Sequence, residues 1–343
     1  MLYHGFAPTA AALRLLLAAG ACATLVALTV SAAAKPPGHV VHVGVLKSFA
    51  PKFDPISNPF DRELIDGLRE LGYAPDRDVV FEFRSARDLA EPEALAQLTT
   101  QLIATKVDLL LVVGTQPVLE AAKVTKTVPI VMVGTADPVD TGLIASLARP
   151  GGNVTGLAVN AAEVAAKRVQ LLRDAVPALS RVAVLWNSSI RSMTLAFQNI
   201  EEATPNLGVT LQSIRVSNSD QFDQAFAAIE GGEPGGLVVL FGPLRGNDLP
   251  RIVEFVVAHR IPTIFELGQG VRGGGLMEFG PSALRMARRA AAYIDKIANG
   301  ADPASLPVEE PIAFELVINM KAAEAIGITI PRSLLLLADR VIE

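Results

Sequence analysis

Asp137 and Glu266, with Thr115, Gln116, Thr135 and Asn187, each stand where an apolar run gives way to a turn. Carboxylates accept an ammonium, hydroxyls and amides exchange hydrogen bonds, and the start of a helix attracts an anion, so the set suits a small polar or zwitterionic ligand. Thr115 and Gln116 come just before Pro117, which opens a helix. The free N–H groups there suit a ligand carboxylate, although either residue could instead cap the helix. Asp137 precedes Pro138, and either takes a ligand ammonium or serves as a turn cap. Asn187 follows Trp186 and competes with Ser188 and Ser189 for a capping role. Glu266 either reaches a cleft or is solvated, and Asn160 is a further hinge-side candidate. Ser48, Phe49 and Phe241 end strands, and the two phenylalanines could sandwich a ring. Trp186, the single tryptophan, reads as core.

Other chemistries lack their residues. Residues 268–273 match the G-x-G-x-x-G spacing, but more glycine and another strand follow where a dinucleotide needs a helix N-terminus. No G-x-x-x-x-G-K-[ST] loop is present, so the chain is not a transporter's ATPase. His39 and His42 have no third ligand nearby and read as a solvated tail. No G-x-S-x-G elbow occurs, and no histidine is placed to activate a nucleophile. The expectation is a binding protein without cofactor or metal, and not an enzyme.

The elements that position these groups form two similar α/β halves. Residues 109–113 and 130–133 are β-branched, apolar runs, as expected of strands buried on both faces. A similar pair recurs at 237–241 and 263–265. In open α/β sheets ligands sit at the carboxyl ends of strands, so the polar ends of the two halves could face each other across a cleft. Strands are also expected at 40–46, 79–83, 182–186, 209–216, 276–279 and 313–318, with 79–83 near an edge because it alternates with charge. Helices are expected between them. One begins at Asn58-Pro59, a short one covers 137–147, and Ser217 to Asp220 forms a capping box.

Pro- and Gly-rich breaks near 149–156, 268–275 and 303–312 suggest three crossings between the halves. The fold class expected is therefore α/β, two Rossmann-like parallel-sheet lobes joined by a three-segment hinge. Residues 35–158 with 276–304 form one lobe, and 159–275 with 305–343 form the other. Gly274 and Gly275 are expected to absorb the hinge rotation.

The length of 343 residues fits two domains, and 50% hydrophobic composition supplies two cores. Residues 1–34 read as an export signal: Arg14 is their only charge, 15–30 are apolar, and Ala32-Ala33-Ala34 offers a cleavage site. Retention as a membrane anchor is the alternative. The only cysteine, Cys22, lies inside the apolar run with Ala19 three residues before it, so simple cleavage is favoured over lipidation. The net charge of −5 becomes −6 once Arg14 is removed, which argues against nucleic acid or an anionic membrane as partner.

Residues 150–156 (PGGNVTG), 314–321 (FELVINMK), 325–331 (AIGITIP) and 338–343 (ADRVIE) resemble signature stretches of a bacterial ABC-transporter substrate-binding family, related to exported tryptophan- and tyrosine-binding proteins. The resemblance spans nearly all of the chain beyond residue 34. It implies a periplasmic-binding-protein type I fold and a small ligand, an aromatic amino acid or related acid, trapped at the hinge. It also implies a monomeric periplasmic protein, not membrane-spanning once matured, that delivers the ligand to an inner-membrane ABC permease. A ligand sensor for a signalling receptor, or an α/β enzyme, are the alternatives. The loop after the first strand departs from the family's short Ser/Gly-rich turn, reading Lys47-Ser48-Phe49-Ala50-Pro51-Lys52-Phe53.

Overall fold

The computed structural model describes residues 39–48, 52–86, 92–240, 248–266, 269–310 and 314–343. The chain opens with β1 (Val41–Ser48), α1 (Pro59–Glu70), β2 (Val79–Ala86), α2 (Pro92–Ala104), β3 (Leu109–Val113), α3 (Thr115–Val124), β4 (Ile130–Ala136) and β5 (Val154–Val159). These strands make one parallel sheet in the order β2-β1-β3-β4-β5. β3 and β4 are almost wholly buried, as their unbroken apolar runs require, and the alternating β2 is at the edge. Asn58 caps α1 by accepting from the N–H groups of Phe60 and Asp61, with Pro59 in the first turn.

The second half follows as α4 (Ala161–Ala175), β6 (Arg181–Asn187), α5 (Arg191–Leu207), β7 (Thr210–Val216), α6 (Phe222–Gly232), β8 (Gly236–Val239), α7 (Asp248–Ala258), β9 (Thr263–Phe265), α8 (Gln269–Arg272) and β10 (Met277–Pro281). Then come α9 (Ala283–Ala298), β11 (Phe314–Asn319), α10 (Met320–Ile326), α11 (Arg332–Leu337) and β12 (Arg340–Ile342). The second sheet has the order β12-β11-β10-β9-β8-β6-β7, with β10 and β11 antiparallel. Each sheet is covered by apolar clusters on both faces. Trp186 belongs to the second lobe's core, stacked on Phe197 at 4.7 Å with its indole N–H donating to Ser213.

The crossings bring the two sheets edge to edge. β5 ends at Val159 and α4 begins at Ala161, so Asn160 alone carries the chain into the second lobe. In the same way Ser282 alone carries it from β10 back to α9, which buries Met286, Ala287, Tyr293 and Ile294 against Leu64 and Leu68 of α1. A helix following a parallel strand starts at that sheet's carboxyl edge. One-residue links therefore require the carboxyl edges of both sheets to face each other. The third passage leaves the first lobe after Glu309. That residue exchanges backbone hydrogen bonds with Gly156 and Ala158, and its carboxylate takes two hydrogen bonds from Arg289.

The chain passes between the lobes at Asn160, two residues beyond the expected boundary at 158, at Ser282 rather than in the 268–275 run, and after Glu309, inside the 303–312 break. Residues 149–156 lead into β5 within the first lobe. Gly156 is required there because a Cβ would meet the Met132 carbonyl oxygen at 2.3 Å. Gly270, Gly274 and Gly275 belong to the α8 turn inside the second lobe, where Gly270 and Gly275 let the backbone lie on the Phe265 ring. They are not hinge residues. The 276–304 segment assigned to the first lobe divides, because β10 pairs with β9 and β11 and only α9 joins the first lobe. Residues 305–309 stay with the first lobe, with Val308 in its core.

Two local expectations also change. Residues 137–147 form turns rather than a helix, the Pro138 carbonyl accepting from Leu143 and Ile144 and Gly142 adopting φ 72°. Asn218 caps a single 3₁₀ turn ahead of α6. Among the described residues, no helix is long and apolar enough to cross a membrane.

Candidate ligand-binding site

The first lobe's rim is built where β3 and β4 end. α3 starts at Thr115 behind Gly114, without a side-chain cap. Its first turn therefore keeps N–H groups for another acceptor. Thr115 does not cap the helix. Its hydroxyl oxygen accepts from the Ala136 N–H at 2.9 Å, joining the start of α3 to the end of β4 and leaving the hydroxyl proton to be donated elsewhere. Gln116 turns along the helix and donates to Glu120, which also pairs with Lys123.

A bulge between Val133 and Thr135 re-aims the end of β4. Thr135 is fully buried, and its hydroxyl has no hydrogen-bond partner among the described residues. Buried hydroxyls are rarely left so. Asp137, two residues on, has φ 44°, in the left-handed region that few residues other than glycine adopt. Its N–H donates to Val159 and its carbonyl accepts from Thr141, so it pins the ends of β4 and β5 together in a turn, with no helix to cap. Asn160, half-buried, follows directly.

The second lobe contributes Asn187 and Glu266. Asn187 is buried, and its side-chain oxygen accepts from both the N–H and the hydroxyl of Ser189, an Asx turn that shapes the end of β6. Glu266 follows β9, is largely buried, and lies 3.4 Å from Arg168. The rim of one lobe thus carries Thr115, Thr135 and Asp137, and the rim of the other carries Asn187 and Glu266. Ser48 ends β1; Phe49 and Phe241, and the side chain of Ser48, lie outside the described residues. Among the described residues, no three His, Cys, Asp or Glu side chains gather as a metal-binding group.

Two buried cations escape a reading that looks only at strand ends. Lys47 continues the inward alternation of Val41, Val43 and Val45, so the period-2 pattern places it under the sheet. It pairs with the fully buried Asp61, and its ammonium stands 5.5–5.7 Å from the ring centroids of Phe53, Phe60 and Phe83. Burial lowers its pKa and Asp61 opposes that shift.

The other oxygen of Asp61 accepts from the Asp54 N–H. Asp54 in turn takes hydrogen bonds from the Ser57 hydroxyl and from the N–H groups of Ile56 and Ser57. These bonds, that of Ser57 foremost, hold the Asp54 carboxyl well below the ordinary range. This chain of contacts ties Lys47 and residues 54–57 to the first turn of α1. The second cation, Arg168, lies three residues beyond Ala165 and four before Leu172, on the apolar stripe of α4, and is fully buried. That spacing is the signal that exposes it.

A family model described as ABC transporter substrate binding protein matches residues 60–342. The tyrosine-binding protein of Clostridioides difficile (strain R20291) is 23% identical over 270 residues, 76% of this chain and 74% of the relative. Among solved structures, an ABC domain in complex with L-Trp from Streptococcus pneumonia is 25% identical with a TM-score of 0.78, covering 89% of this chain and 100% of that one. A conserved domain protein from Vibrio cholerae O1 biovar El Tor shares the fold at 24% identity and TM-score 0.78, covering 88% and 100%. The two parallel-sheet lobes are those of type I periplasmic binding proteins. Because the matched stretch runs from the first helix of one lobe to the last strand of the other, this chain belongs to the ABC transporter substrate binding protein family.

Proposed function

We propose that the chain is exported through its N-terminal leader and works in the periplasm as a monomer, closing on an aromatic amino acid or a related small acid and passing it to an inner-membrane ABC permease. The observation that carries this reading is the pairing of unlike rims. The open α3 N-terminus and the Thr135 hydroxyl, which has no partner among the described residues, favour an anionic group, and the Asp137 and Glu266 carboxylates favour a cationic one. A zwitterion carries both. The aromatic side chain is suggested by the relatives, a tyrosine-binding protein and a protein solved with L-Trp. Binding needs no chemical step, because cleft closure around a largely formed site is recognition enough.

The test is a thermal-shift screen of the ligand-stripped protein against amino acids and aromatic acids, followed by affinities for Asp137→Asn. The variant should lose about ten- to a hundredfold in affinity for an amine-bearing ligand and little for its deaminated analogue. Equal losses for both would reduce Asp137 to a turn residue.

A further inference from the structure

Arg168 is a full-length guanidinium at 0% exposure on the inner face of α4, in a stripe otherwise made of Ala165, Val169 and Leu172. Its Nε–H donates to the Phe279 carbonyl at 2.8 Å, three residues before the Ser282 crossing. Its Nη2 lies 3.4 Å from Glu266 Oε1, and neither Nη1 nor Nη2 has a hydrogen-bond partner among the described residues. Burial presses its pKa down, and the Glu266 charge is the largest opposing influence. Gly280 completes the packing. A Cβ there would meet the Glu266 carbonyl oxygen at 2.3 Å and approach Arg168 Nη2 at 4.0 Å. Arg168, Phe279 and Gly280 are therefore packed as one unit against Glu266 at the second lobe's rim.

Stability alone does not call for this residue. A buried guanidinium with unfilled donors is costly, and an apolar chain of similar length would fill the stripe with less desolvation. What the guanidinium adds is a planar cation, anchored to the backbone by Nε, beside the rim carboxylate.

We infer that Arg168 is a positioning residue for ligand recognition: it fixes where Glu266 presents its carboxylate to the cleft, and so sets the preference for ligands that carry an ammonium group. This inference rests on the proposed reading of the cleft as an amino-acid site with Glu266 facing the ammonium. Arg168 itself stays behind the rim and touches no ligand. Its effect therefore falls on one part of the ligand only, whereas a merely structural role would affect every ligand alike.

The experiment measures dissociation constants of the ligand-stripped full chain for L-tryptophan and for indole-3-propionate, which lacks the amine, with unfolding midpoints as a check on folding. Glu266→Gln tests the reading: it should weaken L-tryptophan about tenfold or more and spare indole-3-propionate. Arg168→Met tests the inference and should narrow the ratio between the two probes by about tenfold while the chain remains folded. Arg168→Lys, which keeps a cation and loses the planar anchor, should narrow it by about threefold, and it decides the matter alone if Arg168→Met does not fold.

If Glu266→Gln changes the ratio but the Arg168 variants weaken both probes equally, or neither, the positioning role is overturned and the cleft reading stands. If Glu266→Gln leaves the ratio unchanged, or the unaltered protein binds neither probe, the cleft reading fails and the inference fails with it.

Discussion

Thr115 links the fold to the proposed site: its oxygen accepts from the Ala136 N–H, which leaves its proton to be donated elsewhere. Thr115→Val should lower ligand affinity about ten- to a hundredfold if that proton meets a carboxylate, while the lost internal bond costs only about 1 kcal/mol of stability. Calorimetric titration and urea unfolding on the same sample separate the two. Glu278 gives a pH signature in a different place. Burial raises its pKa from 4.5 to about 7, against the opposing charges of Arg340 and Arg272. A carboxyl raised in the folded state supports stability fully below pH 4.5, and that support is lost as pH rises through about 7. Glu278→Gln should remove this slope, gaining on the order of 3 kcal/mol over the parent at pH 8 relative to pH 4. Urea midpoints at both pH values check it. That these polar residues stand at strand ends was legible because a polar residue after an apolar run stands out. The internal bond of Thr115 was not, because it joins residues 21 apart.

At the scale of elements, the β1–α1 connection depends on a buried charge. Lys47→Met would leave Asp61 buried with only the Asp54 N–H to answer it, a loss of about 3–5 kcal/mol. Adding Asp61→Leu should recover a substantial part, since an apolar pair replaces a desolvated one. Chemical unfolding of the single and double variants measures the coupling. Strand and helix positions were largely readable because β3, β4 and β8 are buried on both faces and therefore continuous in apolar type. The crossing at Ser282 was not, because Pro and Gly mark turns of every kind whereas Ser282 is a single residue that leaves no compositional trace. Residues 137–147 misled for a related reason: Leu143, Ile144 and Leu147 have helical spacing, but Gly142 breaks the backbone and the turns bury Ile144 instead.

Across the whole molecule, two one-residue links and a third passage held by Glu309 leave the lobes little freedom except to open and close. A ligand that touches both rims favours the closed form by its difference in affinity for the two states. At a free concentration a hundred times the dissociation constant it should add about 2.7 kcal/mol of stability. A true ligand is thus expected to raise the melting temperature and to reduce the radius of gyration in small-angle scattering. Tight binding with an unchanged scattering curve would point to a rigid pocket.

The placement of α9 has a consequence for the order in which this protein can come into being. That helix supplies Met286, Ala287, Ala290, Ala291, Tyr293 and Ile294 to the core beneath β1, β3 and β4, yet it is made only after the second lobe's first five strands. Until residue 298 has left the ribosome, that face has α1 but lacks the six apolar side chains of α9, so the first lobe buries less apolar surface than in the finished fold. Completion of the first lobe's core therefore waits for α9. If the chain is exported as proposed, the late arrival of α9 would leave the first lobe's core incomplete for most of synthesis.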